Sequence, residues 1–429
     1  QKRALREVGK ITSLRSFLQK EMVVKDRIST DYEIAREIYN NQNKTLVFEN
    51  VADYDLRVVG NLCYSREALY RALSTSKEGY NEKVARTVEN PLTPRTVKNG
   101  RWYETEAKSL QELPILRHFK GDGSKYMTSG IVVSKDPEHG RNASVHRLMV
   151  LGDNRLAIRL VERHLYEYHR RAEERGESLE VAIAIGVHPA ILYAAGYSPS
   201  LGYDELGLAN ALLDGKLELA RCRTVDVEVP AESEIVIEGR ILPGERADEG
   251  PFVDITGTYD IIRKQAVIEV TGIAHRRNAY YHALLPGGME HKIFMGMPIE
   301  NKIYREVNKI VEVKNVCLTE GGCNWLHGSV SISKKHENDG RRAIHVALDA
   351  HPSMKHVIVV DEDINVFDPI RVEFALATRF QALRDAIVFP GVKGSSLDPS
   401  ADKNAITTKL GLDATKPLDR LKDFESAEI

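Results

Sequence analysis

The change of hydrophobic period along this 429-residue chain constrains its fold more than any other feature. Between residues 225 and 272 apolar and polar side chains alternate: Val225, Val227 and Val229, then Ile235 and Ile237, then the run 266–272. Period two places every second side chain on one face of a strand, and the Gly and Pro residues between these runs supply turns. Shorter strand patterns precede them at 130–134, 144–151, 155–161 and 179–185, with helical patterns at 162–175 and from Pro189 to Ala195. Together they predict a mostly antiparallel β unit with the form of a barrel.

Both flanks read differently. In residues 1–115 helix and strand patterns alternate. Ser29, Thr30 and Asp31 followed by Glu33 mark the capped start of a helix that runs through Tyr39. Short apolar strands are expected at 45–48 and 56–59, a helix at 65–73 and a loop at 90–96. After Gly296 the α/β texture returns: a helical period at 303–311, apolar strand runs at 343–347, 357–360 and 386–389, and a helix over 369–383 with Pro369 in its first turn. Residues 403–429 are charged and read as a tail. The expected architecture is a multidomain α+β chain: an α/β domain at 1–115, a β-rich domain at 116–296 and an α/β domain with the tail at 297–429. Clefts at such boundaries favour small-molecule sites.

Composition narrows the function classes. Sixty basic residues nearly cancel 62 acidic ones, which gives no support for a nucleic-acid or membrane-surface partner. No apolar run approaches the ~20 residues needed to span a bilayer. The opening residues, from Gln1 to Arg6, lack both an initiator Met and the apolar core of a signal peptide. The four cysteines, Cys63, Cys222, Cys317 and Cys323, form no C-x2-C pair and read as reduced thiols. A cytoplasmic location is expected. No G-x-G-x-x-G after a strand, Walker A, H-E-x-x-H or G-x-S-x-G pattern occurs, and Pro286-Gly287-Gly288-Met289 reads as a turn.

Three groups of residues carry candidate chemistry. Glu249-Gly250-Pro251-Phe252-Val253-Asp254 holds two carboxylates beside a Gly-Pro bend, where one environment can leave one acid charged and the other able to donate a proton. A solvated turn is the plainer reading. Arg141 to Arg147 places Asn142 and Arg147 beside a strand, and the planar guanidinium of Arg147 suits a substrate carboxylate or Glu249. Its plainer reading is a surface arginine. Asn142, His164 and Glu205 would together make a mixed O/N site suited to Mn2+ or Mg2+, although their spacing alone defines no metal motif. Singly, His164 reads as exposed and Glu205 as a helix-start acid.

In this order the segments resemble the UbiD-like decarboxylases. The likeness is strongest from about Gly130 to Thr415. It rests on 141–147, 159–164, 202–205, 229–233 with Glu238-Gly239, 249–254, 359–364, 377–379 and 409–415. The resemblance implies a central split β-barrel of the flavin-reductase type between the two α/β domains. It implies prenylated FMN, with Mn2+ joining its phosphate to the protein and K+ nearby. Asn142, His164 and Glu205 match the metal ligands, with His164 and Glu205 also serving the cofactor. Val145, His146, Arg147, Arg159 and Leu160 match cofactor-contacting positions. Arg147, Glu249 and Asp254 match the catalytic set; some relatives have Glu at the last position. A flavin prenyltransferase would supply the cofactor, and homodimers or hexamers are expected.

Removing CO2 from an sp2 carbon needs an electron sink that no side chain provides. The resemblance assigns that part to the flavin, the returning proton to Asp254, and its orientation to Arg147 and Glu249. The compact length resembles an archaeal branch that converts trans-anhydromevalonate 5-phosphate to isopentenyl phosphate. Basic residues for a substrate phosphate would come from His275-Arg276-Arg277 or His291-Lys292, or these are ordinary surface charges. Decarboxylation of (polyprenyl-)4-hydroxybenzoate or another aromatic acid is the second reading. A flavin-binding carrier or reductase without decarboxylase activity is the third; the intact Arg147, Glu249 and Asp254 argue against it and against a scaffold.

Overall fold

The computed structural model describes residues 11–19, 21–197 and 199–425. The opening residues, Gln1 to Arg6, and the end of the expected tail, 426–429, lie outside them. The chain divides into two compact units, Gln1–Phe294 and Met295–Ile429. The fold is a multidomain mixture of α and β, as expected.

The first unit is built on a nine-stranded sheet whose main path is antiparallel throughout. Its order is Tyr126–Met127, Leu148–Gly152, Arg155–Ile158, Arg263–His275, Ile235–Glu249, Leu179–Ile185, Ile131–Asp136, Gly140–Val145, with Thr105–Ala107 beside Arg263–His275. Among the described residues this path is open, with edges at Tyr126–Met127 and Gly140–Val145. The period-two runs fall where expected: Ile235 and Ile237 begin one long strand, and 266–272 lie within its partner. Their buried side, with Ile183, Ile237 and Ile268, forms the core. The two long strands shift register at Glu238/Gly239. A Cβ on Gly239 would lie 2.5 Å from the Glu269 carbonyl oxygen, so only glycine fits this bulge. Val229 alternates in a separate small sheet formed by Glu228–Pro230, Glu218–Arg221 and Arg95–Val97.

The N-terminal α/β pattern folds largely as read, but the expected loop at 90–96 ends in the strand Arg95–Val97, because its partner Glu218–Arg221 comes from far along the chain. The helix Arg66–Ala72 starts at Ser65, whose hydroxyl accepts from the Ala68 N–H. Glu33 reaches back to the Ser29 N–H at 2.8 Å, although the helix Glu33–Asn40 begins after Tyr32 rather than at Ser29. The strands Met22–Val24, Leu46–Phe48 and Arg57–Gly60 take a fourth neighbour, Tyr280–His282, from far along the chain.

The second unit carries a five-stranded mixed sheet in the order Val313–Leu318, His327–Ile332, His356–Asp361, Ile406–Ala414, Ala386–Lys393. Two expectations are corrected here. Residues 343–347 are not a strand but lie in the helix Asp339–Ala350. Its buried residues Ala343, Ile344, Ala347 and Leu348 follow helical spacing, which a five-residue apolar run is too short to reveal. Residues 403–429 are not simply a tail, because Ile406–Ala414 pairs on both sides within the sheet. Its charges are satisfied internally: Lys409 donates to the Pro352 carbonyl, and Asp413 accepts from the Thr415 hydroxyl and N–H. All four cysteines are free.

Candidate active site

The predicted strand over 144–151 is broken, and the break makes the site. The edge strand Gly140–Val145 ends here and Leu148–Gly152, one strand in from the opposite edge, begins across the sheet, so His146 and Arg147 stand in the connection between them. Backbone bonds fix this connection: His146 N–H donates to Gly130 and Arg159 N–H donates to Arg147. The His146 ring lies 2.9 Å from the Arg159 carbonyl oxygen through Nδ1 and 2.8 Å from Ser144 Oγ through Nε2. Burial, only partly offset by the Arg159 hydrogen bond, pulls its pKa down to about 4, so the ring is neutral at pH 7.

Arg147 is gripped by three carboxylates. Its Nε and Nη2 donate to the two oxygens of Glu249 at 2.9 Å each, a bidentate pair. Nη2 also reaches Asp260 Oδ2 at 2.9 Å, and Nη1 reaches Asp254 Oδ2 at 3.2 Å. Side-chain exposure is 9% for Arg147, 0% for Glu249, 18% for Asp254 and 7% for Asp260. Burial opposes charge on Arg147, but Glu249, Asp254 and Asp260 outweigh it and raise the pKa of the guanidinium. Phe252 lies under the guanidinium, 5.1 Å from its ring centroid. Tyr126 braces the far side, donating to Glu249 at 3.3 Å and accepting from the Gly250 N–H at 3.0 Å.

Local folding explains how the acids meet. Glu249 ends the long strand Ile235–Glu249, and a tight hairpin follows, pairing Phe252–Val253 with Tyr259–Asp260. Its turn is closed by Asp254 N–H to Thr258 O and Gly257 N–H to Asp254 O. Asp254 therefore stands at one end of the hairpin and Asp260 at the other. Asp260 was not anticipated from the sequence, because only the hairpin register Phe252↔Asp260 brings it beside Arg147.

The second cluster joins Asn142, His164 and Glu205. Asn142 Nδ2 donates to Glu205 Oε1 at 3.1 Å, and His164 Nδ1 lies 3.5 Å from the same oxygen. Ala143 N–H donates to Glu205 Oε2 at 2.9 Å. Asn142 and Glu205 are buried, and burial raises the Glu205 pKa against the pull of His164 and Ala143. Asp204 caps the helix Glu205–Leu212 and is tied to Arg141, which fixes the helix start against the Asn142 strand. His164 opens the helix His164–Glu174. These three residues, so far apart in sequence, share one neighbourhood. Among the described residues no group of three His, Cys, Asp or Glu side chains forms a metal cluster, so this set depends on the amide of Asn142.

The remaining candidates fall around these clusters. Arg159 donates to the Leu160 carbonyl at 3.0 Å, and its pKa is lowered by burial and by the nearby Arg263 and Arg147. Leu160 N–H donates to Gln265 at 2.7 Å. Val145 ends the Asn142 strand. His291 accepts from the Gly287 N–H at 3.0 Å and interacts electrostatically with Asp254 and Arg147; burial lowers its pKa. Arg276, by contrast, is not a surface charge open to a ligand: it is buried and pairs with Glu232 and Glu234, each at 3.4 Å.

Three family models cover most of the chain: the N-terminal domain of 3-octaprenyl-4-hydroxybenzoate carboxy-lyase over 19–88, its Rift-related domain over 91–289 and its C-terminal domain over 292–414. The chain belongs to the UbiD family. Among its relatives, the anhydromevalonate phosphate decarboxylase of Methanothermobacter thermautotrophicus is 47% identical over 96% of this chain and 99% of its own length. The protein of the same name from Methanosarcina mazei is 45% identical over 95% of each. The UbiD-class enzyme HmfF from Pelotomaculum thermopropionicum, solved in complex with FMN, superposes with a TM-score of 0.94 at 42% identity over 97% of both chains. An evolved dimeric form of HmfF, in complex with prFMN, gives 0.91 at 41% identity over 97% of both chains.

Proposed function

We propose that this protein is a prenylated-FMN-dependent carboxy-lyase that converts trans-anhydromevalonate 5-phosphate to isopentenyl phosphate and CO2. The observation that carries the chemistry is the single buried guanidinium, Arg147, holding both Glu249 and Asp254. The substrate reading draws on near-full-length identity to several anhydromevalonate phosphate decarboxylases, at 40–47% in four of them. His291, beside Asp254, and its neighbour Lys292 are suited to a phosphorylated acid.

In this reading Glu249 anchors Arg147, and Arg147 orients Asp254 and the substrate carboxylate. Asp254 returns a proton to the carbon that loses CO2 and is reprotonated from solvent, so the reaction needs no redox partner. Prenylated FMN supplies the electron sink when bound. Val145, His146, Arg147, Arg159 and Leu160 would contact it, and Asn142, His164 and Glu205 would hold a divalent cation at its phosphate. The amide, imidazole and carboxylate donors fit Mn2+ or Mg2+, because Glu205 is a buried acid whose burial opposes charge unless a cation compensates it. K+ would sit nearby.

The assembly belongs to the same proposal. The open antiparallel sheet would form the strands of a split barrel, and three domains would occupy 1–115, 116–296 and 297–429. Ile370, Phe374, Leu383 and Val388 are exposed in the second unit and suit a homodimer or hexamer contact. A flavin prenyltransferase would supply the cofactor, and the enzyme would work in the cytoplasm on a small acid. No helix of the described residues is long and apolar enough to cross a membrane.

The family models' own description favours the second substrate, a polyprenyl-4-hydroxybenzoate. The deciding experiment loads the protein with prenylated FMN and measures CO2 release from both acids. Turnover of anhydromevalonate phosphate alone supports the proposal. Turnover of hydroxybenzoates alone replaces its substrate, and no CO2 from either with flavin bound removes the decarboxylase reading.

A further inference from the structure

We propose that Asp260 is a positioning residue of the decarboxylation site, pinning the hairpin that carries Asp254 to Arg147 and contributing the negative charge that sets the working pH range. The inference rests on the reading of Asp254 as the proton donor.

The geometry gives Asp260 three attachments. Its Oδ2 accepts from Arg147 Nη2 at 2.9 Å and lies 2.6 Å from Arg263 Nη1, while its Oδ1 accepts from the Ile261 N–H at 2.9 Å. Arg147 and Arg263, two cations that would repel each other, therefore meet on one carboxylate. Arg159 adds a third guanidinium, and its pKa is lowered by burial and by both of the others. Burial opposes charge on Asp260, but Arg263 and Arg147 overcome it and hold its pKa below the usual carboxylate value. Asp260 is thus a permanent anion near neutral pH.

Its place in the hairpin transmits that grip. Asp260 pairs in register with Phe252, two residues before Asp254, and the adjoining Tyr259 hydroxyl accepts from the Gly121 N–H at 2.8 Å. One strand is thus fixed at Tyr259 and Asp260, and the other presents Asp254 to Arg147. Asp254 is the most exposed of the three acids on this guanidinium and has the longest contact to it. A small shift of the hairpin would therefore move Asp254 first. Positioning errors of about 1 Å cost rates on the order of 10²-fold.

The charged neighbours define the direction of the pH effect. Asp254 faces Arg147 and His291, and through Arg147 it feels Glu249 and Asp260. Removing the Asp260 charge makes this surrounding more positive. A more positive surrounding makes Asp254 give up sooner the proton it must deliver, and a proton donor is lost as pH rises, so the alkaline limb of kcat moves to lower pH.

The test uses the holoenzyme, with flavin content read by absorbance and kcat and KM measured from pH 5 to 9 on whichever acid the protein turns over. Asp260→Asn should lower kcat by roughly 10–100-fold with KM within about twofold, and move the alkaline limb down by about half a pH unit or more. Asp260→Glu keeps the charge but lengthens the arm, so it should keep the limb in place with a smaller fall in kcat. An unmoved limb or an unchanged kcat in Asp260→Asn overturns the proposal, as does loss of bound flavin. If Asp260→Asn does not fold, an unchanged kcat or a displaced limb in Asp260→Glu overturns it instead. Asp254→Asn is measured alongside: full activity there defeats the reading of Asp254, a failure separate from that of Asp260.

Discussion

Two buried arginines, one in each unit, are held by acids in different ways. Arg379 donates from Nη1 to Asp361 at 2.7 Å and from Nη2 to Asp363 at 2.8 Å. Lys416 completes that knot, with its Nζ 2.8 Å from Asp363 and its N–H donating to Asp361. Two cations thus face two acids. Around Arg147, that guanidinium together with Arg263 and Arg159 faces Glu249, Asp254 and Asp260. Both knots are balanced in charge and differ in the grip on each acid: Asp363 is bound by both Arg379 and Lys416. In the first unit Asp254, 18% exposed, has one ion pair among the described residues, to Arg147 at 3.2 Å, and is the most loosely held acid.

The largest effect is expected from removing the loosely held acid. Asp254→Asn should lower kcat by about 10³-fold, within the usual range for losing a general acid. It should leave flavin content and the unfolding midpoint close to wild type, because Glu249 and Asp260 still neutralise Arg147. A large loss of stability would show that Asp254 serves the fold as the acids on Arg379 do.

The converse change is Arg379→Met. It leaves Asp361 and Asp363 with Lys416 alone; Asp363 is 44% exposed and rehydrates, so the loss should be about 1–3 kcal/mol, below that for a fully buried pair. Denaturant unfolding should show that loss. A change within about 0.5 kcal/mol would mean that this knot is as dispensable to the fold as Asp254 is expected to be.

Legibility followed the same divide. Strands bounded by turn residues and buried on the core were readable; the run 179–185 is the observed strand Leu179–Ile185. The break at His146 and Arg147 was not, because residues 144–151 carry continuous strand-like side chains and only the cross-sheet placement of Leu148–Gly152 shows the turn. The strand Ile406–Ala414 was misread because charge normally signals solvent, and nothing local shows that Lys409 and Asp413 find partners inside the fold. Asn142, His164 and Glu205 converge from two helix starts and one strand interior, which no spacing rule encodes; their order along the family pattern was the only signal. That pattern also singled out 359–364, 377–379 and 409–415, which the fold gathers around Arg379, Asp361 and Asp413. Asp260 carried a weaker cue: an acid at the end of a Gly-containing turn that follows two other acids.

A smaller effect is expected from the Asn142 cluster. Glu205→Gln keeps the shape and an acceptor for the Ala143 N–H but removes the only carboxylate of the set. Divalent-metal affinity should fall by at least roughly 10–100-fold, the range seen when even outer partners of metal ligands are lost. Metal content after dialysis and flavin retention measure it. Unchanged Mn2+ content would remove Glu205 from the metal site while leaving the Arg147 chemistry untouched.

The smallest effect concerns the ring behind the Arg147 knot. His118 is buried, packs edge-on against Phe252 at 6.3 Å between centroids, and neither ring nitrogen has a hydrogen-bond partner among the described residues. Burial lowers its pKa from the ordinary 6.5 to about 3. The unfolded chain therefore takes up this proton first as pH falls. The stability carried by neutral His118 is complete above 6.5 and drains away between 6.5 and 3. From pH 7.5 to 5.5 this one ring should withdraw about 1.4 kcal/mol. His118→Phe forfeits no hydrogen bond, so it should cost little at pH 7.5 and become relatively more stable than wild type by about that amount at pH 5.5. Denaturant unfolding at both values measures the difference. Parallel losses in the two proteins would mean that His118 is already protonated in the fold, and that the Phe252 face of the knot is wetter than its packing implies.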